Sequence, residues 1–283
     1  MIETVSRLED LRARVGGWKR DGLRVGFVPT MGNLHEGHRS LVHLAREHCD
    51  RVVASVFVNP TQFGPGEDFA RYPRTPQDDA AALEASGCDL LWLPSVEAMY
   101  PLGIEAAVQV RVPGITSVLE GAHRPGHFDG VATVVARLFN QVGPDVAVFG
   151  RKDYQQLAVI RHMVADLAFP VAIVAAGTAR EPDGLALSSR NQYLSAEERT
   201  RAPRLHQALE ALRDALRAGT ERATAEANAA DTLAAAGFDV DYIVARRPDL
   251  SEPGPGERGA MVALAAARLG RTRLIDNLEF ELQ

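Results

Sequence analysis

Through the first two thirds of the chain, short apolar runs alternate with stretches of helical period. Residues 23–28 read as a strand and 37–49 as a helix; a second, valine-rich strand covers 51–58. Thr75 suits an N-cap and Pro76 the first helical position, so another helix opens there. A short buried strand follows at 90–93, then a helix over 129–142, a strand at 145–149, a helix over 154–167 and a strand at 171–175. Strands alternating with helices in this way predict a parallel sheet covered by helices on both faces. In such sheets ligands bind beyond the carboxyl ends of the strands, and those ends are where chemistry is to be sought.

After about Gly177 the pattern changes. Residues 195–236 are rich in alanine, arginine and glutamate and read as two helices broken near Gly219. Short strands follow at 240–245, 261–267 and 272–277, and the proline- and glycine-containing stretch 247–258 is a loop. The expected architecture is α/β: a Rossmann-like parallel-sheet domain over 1–178, then a smaller α+β domain over 179–283.

Composition alters this picture little. A chain of 283 residues, 46% hydrophobic and 24% charged, can bury a full core and has an ordinary soluble balance. The formal charge of −6 provides no basic track for nucleic acid, so any anionic ligand must meet a local cluster of donors. The two cysteines, Cys49 and Cys88, form no CxxC pair, which argues against a disulfide framework or a thiolate zinc site. Residues 1–21 are charged and lack the apolar core of a signal peptide, and no run of about 18 apolar residues suggests a membrane span. The expectation is a cytoplasmic protein with neither membrane nor nucleic-acid partners.

The strongest local signal is Pro29-Thr30-Met31-Gly32-Asn33-Leu34-His35-Glu36-Gly37-His38, between the first expected strand and the first expected helix. Its two histidines are three residues apart and share one face of the first helical turn. Unpaired N–H groups and the positive end of the helix dipole gather there, so the pair can cradle phosphate oxygens. Histidines at a helix start more often do nothing special. The spacing is one residue short of the H-E-x-x-H of zinc proteases, and His43 and His48 do not share the same face, so they read as solvated or packing residues.

Three further segments sit where ligand loops are expected. Asn59 and Gln62, after the second strand, carry neutral amides able to donate to a carboxylate and accept from hydroxyls, although Asn59-Pro60 also suits a plain turn. The loop Arg124-Pro125-Gly126-His127-Phe128 precedes a helix, with Arg124 and His127 expected to face the site. Gly150-Arg151-Lys152-Asp153 ends a strand and opens a helix, where a lysine can reach nucleotide phosphates; a surface ion pair is the plainer reading. Finally, Leu187-Ser188-Ser189-Arg190-Asn191 offers two hydroxyls and a guanidinium after a glycine turn.

The order P-T-M-G-x-L-H-x-G-H, together with R-P-G-H-F, F-G-x-K-D-x-x-Q and the S-S-R-N loop, resembles the signature of the pantothenate synthetase family, within the nucleotidyltransferases that use HIGH-type motifs. The matching motifs run from Pro29 to Asn191. Arg151 stands where that family often has glutamate, Leu187 where methionine is common, and Ala179 where a larger β-branched residue is common. The resemblance implies an AMP-forming ligase that condenses (R)-pantoate with β-alanine through a pantoyl-adenylate, with ATP as co-substrate, Mg2+ and a homodimeric assembly. It implies catalytic roles for His38, His35 and Lys152. ATP would be bound by Met31, Gly32, Asn33, Leu34, His35, Glu36, Gly37, His38, Gly150, Arg151, Lys152, Asp153, Ala179, Leu187, Ser188, Ser189 and Arg190. Gln62 and Gln156 would bind pantoate, Gln62 also β-alanine, with Asp78, Asp79 or Asp153 as outer-shell candidates for the metal and residues 179–283 acting as a lid. Two other readings remain: a nucleotidyltransferase for a phosphorylated acceptor, which the neutral Asn59 and Gln62 disfavour, and a silent nucleotide-binding protein, which the intact His35, His38 and Lys152 disfavour.

Overall fold

The apolar runs become the strands of a six-stranded parallel sheet. A computed structural model describes residues 1–283, the side chain of Asp68 excepted. In chain order the elements are β1 (Glu3–Val5), α1 (Leu8–Arg20), β2 (Val25–Thr30), α2 (Glu36–His48), β3 (Arg51–Val56), α3 (Pro76–Ala85), β4 (Leu90–Trp92), α4 (Val96–Met99), α5 (Glu120–His123), α6 (His127–Val142), β5 (Val146–Gly150), α7 (Tyr154–Asp166), β6 (Ala172–Ala176), α8 (Ala196–Arg201), α9 (Arg204–Arg217), α10 (Arg222–Ala235), β7 (Asp239–Arg246), β8 (Gly259–Leu269) and β9 (Thr272–Leu282). The chain forms two units: Met1–Gly150 with Val159–Gly177, and Arg151–Ala158 with Thr178–Gln283.

In the first unit the strand order is β1-β4-β3-β2-β5-β6, every pair parallel. The chain winds outward from β2 through β3 and β4, then crosses to β5 and β6 on the other side. The topological switch therefore lies between β2 and β5, the position at which this class of sheet opens a ligand crevice. Phe27, Val28, Val52, Val53 and Ala54 are fully buried, as a strand covered on both faces requires. One face packs Val28, Val52, Ala54 and Val148 against Leu41, Val42 and Ala45 of α2 and Leu83 of α3. On the other, Phe27 meets Phe139 of α6 edge-on, centroids 6.5 Å apart.

The second unit is built on the antiparallel sheet β7-β8-β9. Leu205, Leu209 and Leu212 of α9 and Ala225, Ala229 and Leu233 of α10 pack on Met261, Ala263, Ala265 and Ala267 of β8. Among the described residues no helix is long and apolar enough to cross a membrane.

Several elements depart from the pattern read in the sequence. β1 and α1 were not expected: β1 has three residues, none buried, and α1 buries only Leu11 and Val15 among charged neighbours, so neither leaves a clear period. Residues 195–236 form three helices rather than two, because Pro203 lacks the N–H that would continue α8. Thr75 occupies the N-cap of α3, but its side chain makes no capping bond. β9 runs on to Leu282, beyond the expected end at 277, pairing with β8 throughout.

Candidate active site

Three neighbouring strands, β3, β2 and β5, end side by side in the first unit and deliver the Asn59–Gln62 turn, the Pro29–His38 motif and Gly150 to one edge of the sheet. After β2 the chain turns sharply. Gly32 has φ +84°, and a Cβ there would lie 2.8 Å from an oxygen of Asp79 and 3.0 Å from Val56, so glycine is demanded twice over. Asn33 follows at φ +52°. The turn is held from below: Asp79, 2% exposed, accepts the backbone N–H of Asn33 at 3.2 Å and of Leu34 at 2.8 Å. Thr30 Oγ1 accepts from Gly32 N–H and donates to the Ser55 carbonyl, tying the turn to β3.

This local geometry sets the histidines. His35 is the N-cap of α2, and its Nδ1 accepts the Gly37 N–H at 3.1 Å. His38, three residues on, makes the reciprocal contact: its Nδ1 accepts the His35 N–H at 3.3 Å. The two rings form an imidazole version of the capping box, centroids 4.2 Å apart. Because each Nδ1 accepts from an amide, the proton of each neutral ring belongs on Nε2. Both side chains are half-buried, whereas Glu36 is exposed and pairs with Arg39. His43 and His48 are exposed.

After β3, the turn is locked by Asn59, 1% exposed. Its Oδ1 accepts from Thr61 and from Tyr100 Oη at 2.7 Å, and its Nδ2 donates to Gln62 Oε1 and the Gly130 carbonyl. The expectation that Asn59 serves a ligand is thereby corrected: its donors and acceptors are engaged inside the fold. Gln62 is oriented by that contact, and its Nε2 lies 3.0 Å from Met31 Sδ, joining the first two motifs. Gly130 is needed here, since a Cβ would meet the Thr61 carbonyl oxygen at 2.4 Å.

Arg124 and His127 are likewise engaged by protein partners. Arg124 forms a bidentate pair with Glu67 at 2.8 and 2.6 Å and reaches Glu120 at 3.4 Å. His127 spans Arg124 and the Gln62 carbonyl. Burial raises the pKa of Glu67, but the Arg124 bonds outweigh it and hold the carboxyl below its usual range. The start of α6 is thus a clamp on the backbone of Gln62. Sequence spacing gave no sign of this, because the partners lie more than fifty residues apart.

In the second unit, residues 151–153 form a short 3-10 turn leading into α7. Arg151, the family departure, pairs with Glu279 of β9 at 2.7 Å, so its extra charge is neutralised within the fold. Lys152 and Gln156 are half-buried and Asp153 is exposed. Farther along, the Leu187 N–H donates to the Ala179 carbonyl at 2.9 Å, and Ser188 caps the turn Ser189–Tyr193 by accepting the Arg190 N–H. Ser188, Ser189 and Arg190 are half-buried. The structure thus brings Met31–His38 together with Gln62 in one unit, and Lys152 together with Ala179 and Leu187–Arg190 in the other.

Among the described residues, no group of three or more histidine, cysteine, aspartate or glutamate side chains could hold a metal ion. Asp79 is engaged by backbone amides and is withdrawn as an outer-shell candidate, while Asp78 and Asp153 are exposed.

Comparison with known proteins agrees along the whole chain. The family model described as Pantoate-beta-alanine ligase matches residues 3–279. The pantothenate synthetase of Xanthomonas oryzae pv. oryzae is 66% identical over 280 residues, covering 99% of this chain and 100% of that protein. The crystal structure of pantothenate synthetase from Thermus thermophilus superposes with a TM-score of 0.89 at 51% identity, covering 98% of this chain and 99% of that one. The Francisella tularensis pantoate–β-alanine ligase, crystallised with β-γ ATP and β-alanine, gives a TM-score of 0.80 at 32% identity, with 98% and 97% covered. This chain belongs to the pantoate–β-alanine ligase family.

Proposed function

We propose that the condensation of pantoate with β-alanine proceeds here through a pantoyl-adenylate formed at the N-terminus of α2. A carboxylate cannot acylate an amine directly, because oxide would have to leave. A pantoate carboxylate oxygen attacks the α-phosphorus of ATP, the bond to the bridging oxygen breaks, and pyrophosphate departs. The β-alanine amine then attacks the acyl carbon, AMP leaves with the bonding pair, and the nitrogen loses a proton. The first step depends chiefly on positioning and on donors aimed at accumulating charge.

Met31, Gly32, Asn33, Leu34, Glu36 and Gly37 form the nucleotide-facing turn in this reading, with backbone contacts from Gly150 and Ala179. His35 and His38 donate from Nε2 to phosphate oxygens, and His38 supplies the acid function. Lys152, Ser188, Ser189 and Arg190 hold the β- and γ-phosphates, flanked by Arg151, Asp153 and Leu187. Gln62 and Gln156 take the hydroxy acid, and Gln62 also borders β-alanine. Met31 sulfur is a weak acceptor, so a substrate oxygen readily replaces it at Gln62 Nε2. Mg2+ enters as part of the MgATP substrate, coordinated by phosphate oxygens. The first unit is the nucleotide- and pantoate-binding domain and the second carries the lid. The protein is cytoplasmic and homodimeric through its first unit, where Leu102 and Val108 are 78% and 77% exposed and offer apolar surface.

The observation that carries this reading is the reciprocal His35–His38 cap, which fixes two imidazoles by their Nδ1 atoms and so sets the Nε2–H groups. The test is pyrophosphate release. It must require pantoate, proceed without β-alanine to a single turnover, and turn over continuously with β-alanine. Release without pantoate, or with a phosphorylated acceptor in its place, overturns the assignment.

A further inference from the structure

Two adjacent residues of β9 reach both segments of the second unit whose side chains are proposed above to hold phosphate. Asn277 is 5% exposed. Its Nδ2 donates to the Arg151 carbonyl at 2.8 Å and to the Lys152 carbonyl at 2.9 Å. Both amide protons are thereby used on successive carbonyls of one turn. A flipped amide would set oxygen against two oxygens, so the orientation is fixed by the partners.

Asp276 is 4% exposed and turns to a different segment. Its two oxygens accept from the Arg180 guanidinium at 2.6 and 2.9 Å, and Oδ1 also accepts the Asn277 N–H at 2.7 Å. Arg180 goes on to donate to the Gly184 carbonyl at 3.0 Å and the Asn277 carbonyl at 3.2 Å. Burial raises the pKa of Asp276, but contacts with His206 and Arg180 prevail and keep the carboxyl below its ordinary value. Arg180 sits at the base of the loop: it bridges to Ala186, the Glu181 N–H donates to Leu185, and Asn191 Nδ2 donates to the Ala186 carbonyl. An unbroken run of hydrogen bonds therefore joins the Lys152 turn to the base of the Ser188–Arg190 segment.

Asp276 has no donor, both Nδ2 protons of Asn277 are spent on carbonyls, and each residue is enclosed by its protein partners. We propose that Asp276 and Asn277 are positioning residues for the polyphosphate tail of ATP: they hold the Lys152 turn and the 179–190 loop in one frame, so that the ammonium, the hydroxyls and the guanidinium keep a preset spacing. This rests on the reading of Lys152 and Arg190 as phosphate ligands. A bidentate carboxylate–guanidinium pair and a doubly used amide are the geometrically specific contacts such a frame needs.

The experiment compares ATP with AMP, both titrated calorimetrically against the full-length protein and its variants. Asn277→Ala removes both donors from the Lys152 turn, and ATP affinity is expected to fall ~10-fold, the equivalent of one to two ordinary hydrogen bonds. AMP affinity and the KM for pantoate are expected to stay within about 2-fold, a split that general loosening of the fold would not produce. The isosteric Asp276→Asn serves as the second variant should Asn277→Ala fold poorly, and is expected to show the same split. Lys152→Ala is run alongside. If Lys152→Ala weakens ATP but both β9 variants leave ATP affinity unchanged, or weaken ATP and AMP equally, the positioning role is overturned. If Lys152→Ala itself leaves ATP affinity intact, the phosphate reading fails instead, and the proposal built on it falls with it.

Discussion

Nδ1 of His127 lies 2.8 Å from the carbonyl oxygen of Gln62, while Nε2 of the same ring lies 3.2 Å from the Arg124 guanidinium. A guanidinium only donates and a carbonyl only accepts, so the ring must be neutral, with its proton on Nδ1. Burial, then the charge of Arg124, push the His127 pKa down to about 4 from 6.5, against the pull of the Gln62 carbonyl, Glu120 and Glu67.

The sign of the pH dependence follows. Between about pH 6.5 and 4 the unfolded chain holds a proton on this histidine that the folded chain refuses, so folding stability is complete above 6.5 and is lost as pH falls toward 4. The whole effect is on the order of 3 kcal/mol. His127→Asn keeps a donor near Nδ1 but does not titrate, and its denaturant midpoint should be flatter than wild type across that window. Glu67 is present in both proteins, so the difference isolates His127. Parallel curves would show that His127 does not bear this linkage.

Gln62→Ala should weaken pantoate far more than ATP. A neutral amide matches a hydroxy acid, and Gln62 touches the segment before α2 through the weak acceptor Met31 Sδ. Losing one hydrogen bond to a charged carboxylate predicts a KM increase of about 10- to 100-fold. Equal losses for both substrates in steady-state kinetics would remove Gln62 from the pantoate pocket.

The cap built from His35 and His38 allows structure and chemistry to be separated. His38→Ala should lower adenylate formation by ~100-fold or more and, by removing half the cap, cost about 1 kcal/mol of stability. His38→Asn can still accept the His35 N–H through Oδ1 but has no Nε2, so it should recover the melting temperature and not the rate. A near-wild-type rate of pyrophosphate release in His38→Asn would confine His38 to capping.

Asp79 offers a similar separation. As an anchor for Asn33 and Leu34, it gains two charge-assisted bonds that Asp79→Asn cannot both replace, at a cost of about 2 kcal/mol. Distortion of the Gly32–Asn33 turn should raise the KM for ATP, while the Mg2+ concentration for half-maximal rate stays put. A rise in that concentration by itself, with stability unchanged, would reinstate Asp79 as an outer-shell residue for the metal.

The helix-start motif and the strand ends could be read from the chain, and the residues that brace them could not. His35 and His38 declared themselves because helix starts have a local grammar of spacing, and the three strand ends were marked by short, mainly apolar runs. Asn59 looked like a ligand amide because nothing near it in sequence reveals Tyr100 or Gly130, its actual partners. Asp79 is 45 residues from Leu34 and Asn277 is 125 from Lys152, so both anchors are visible only once the topology closes those distances. Arg151 read as an unexplained charge for the same reason: Glu279 is 128 residues away.

The segment 178–191 should become resistant to proteolysis when its ligands bind. Ser188, Ser189 and Arg190 lie on a loop rather than a strand, and Pro182 and Asp183 at its tip are exposed. Its base is held by Arg180 on Asp276, and Asp183 pairs with Arg199. If this segment closes on ATP, it excludes water and protects the acyl-adenylate from hydrolysis. Trypsin, with Arg180 and Arg190 as its sites, then reads the closure directly. Ligand at about 100 times its dissociation constant adds roughly 2.7 kcal/mol against local opening, so cutting should slow by at least ~10-fold with ATP and pantoate together. Arg190→Ala should lose that protection and release adenylate to solvent, seen as AMP formed without β-alanine. Cutting that stays equally fast with both ligands saturating would mean that the loop does not close, and the lid assignment would have to be abandoned.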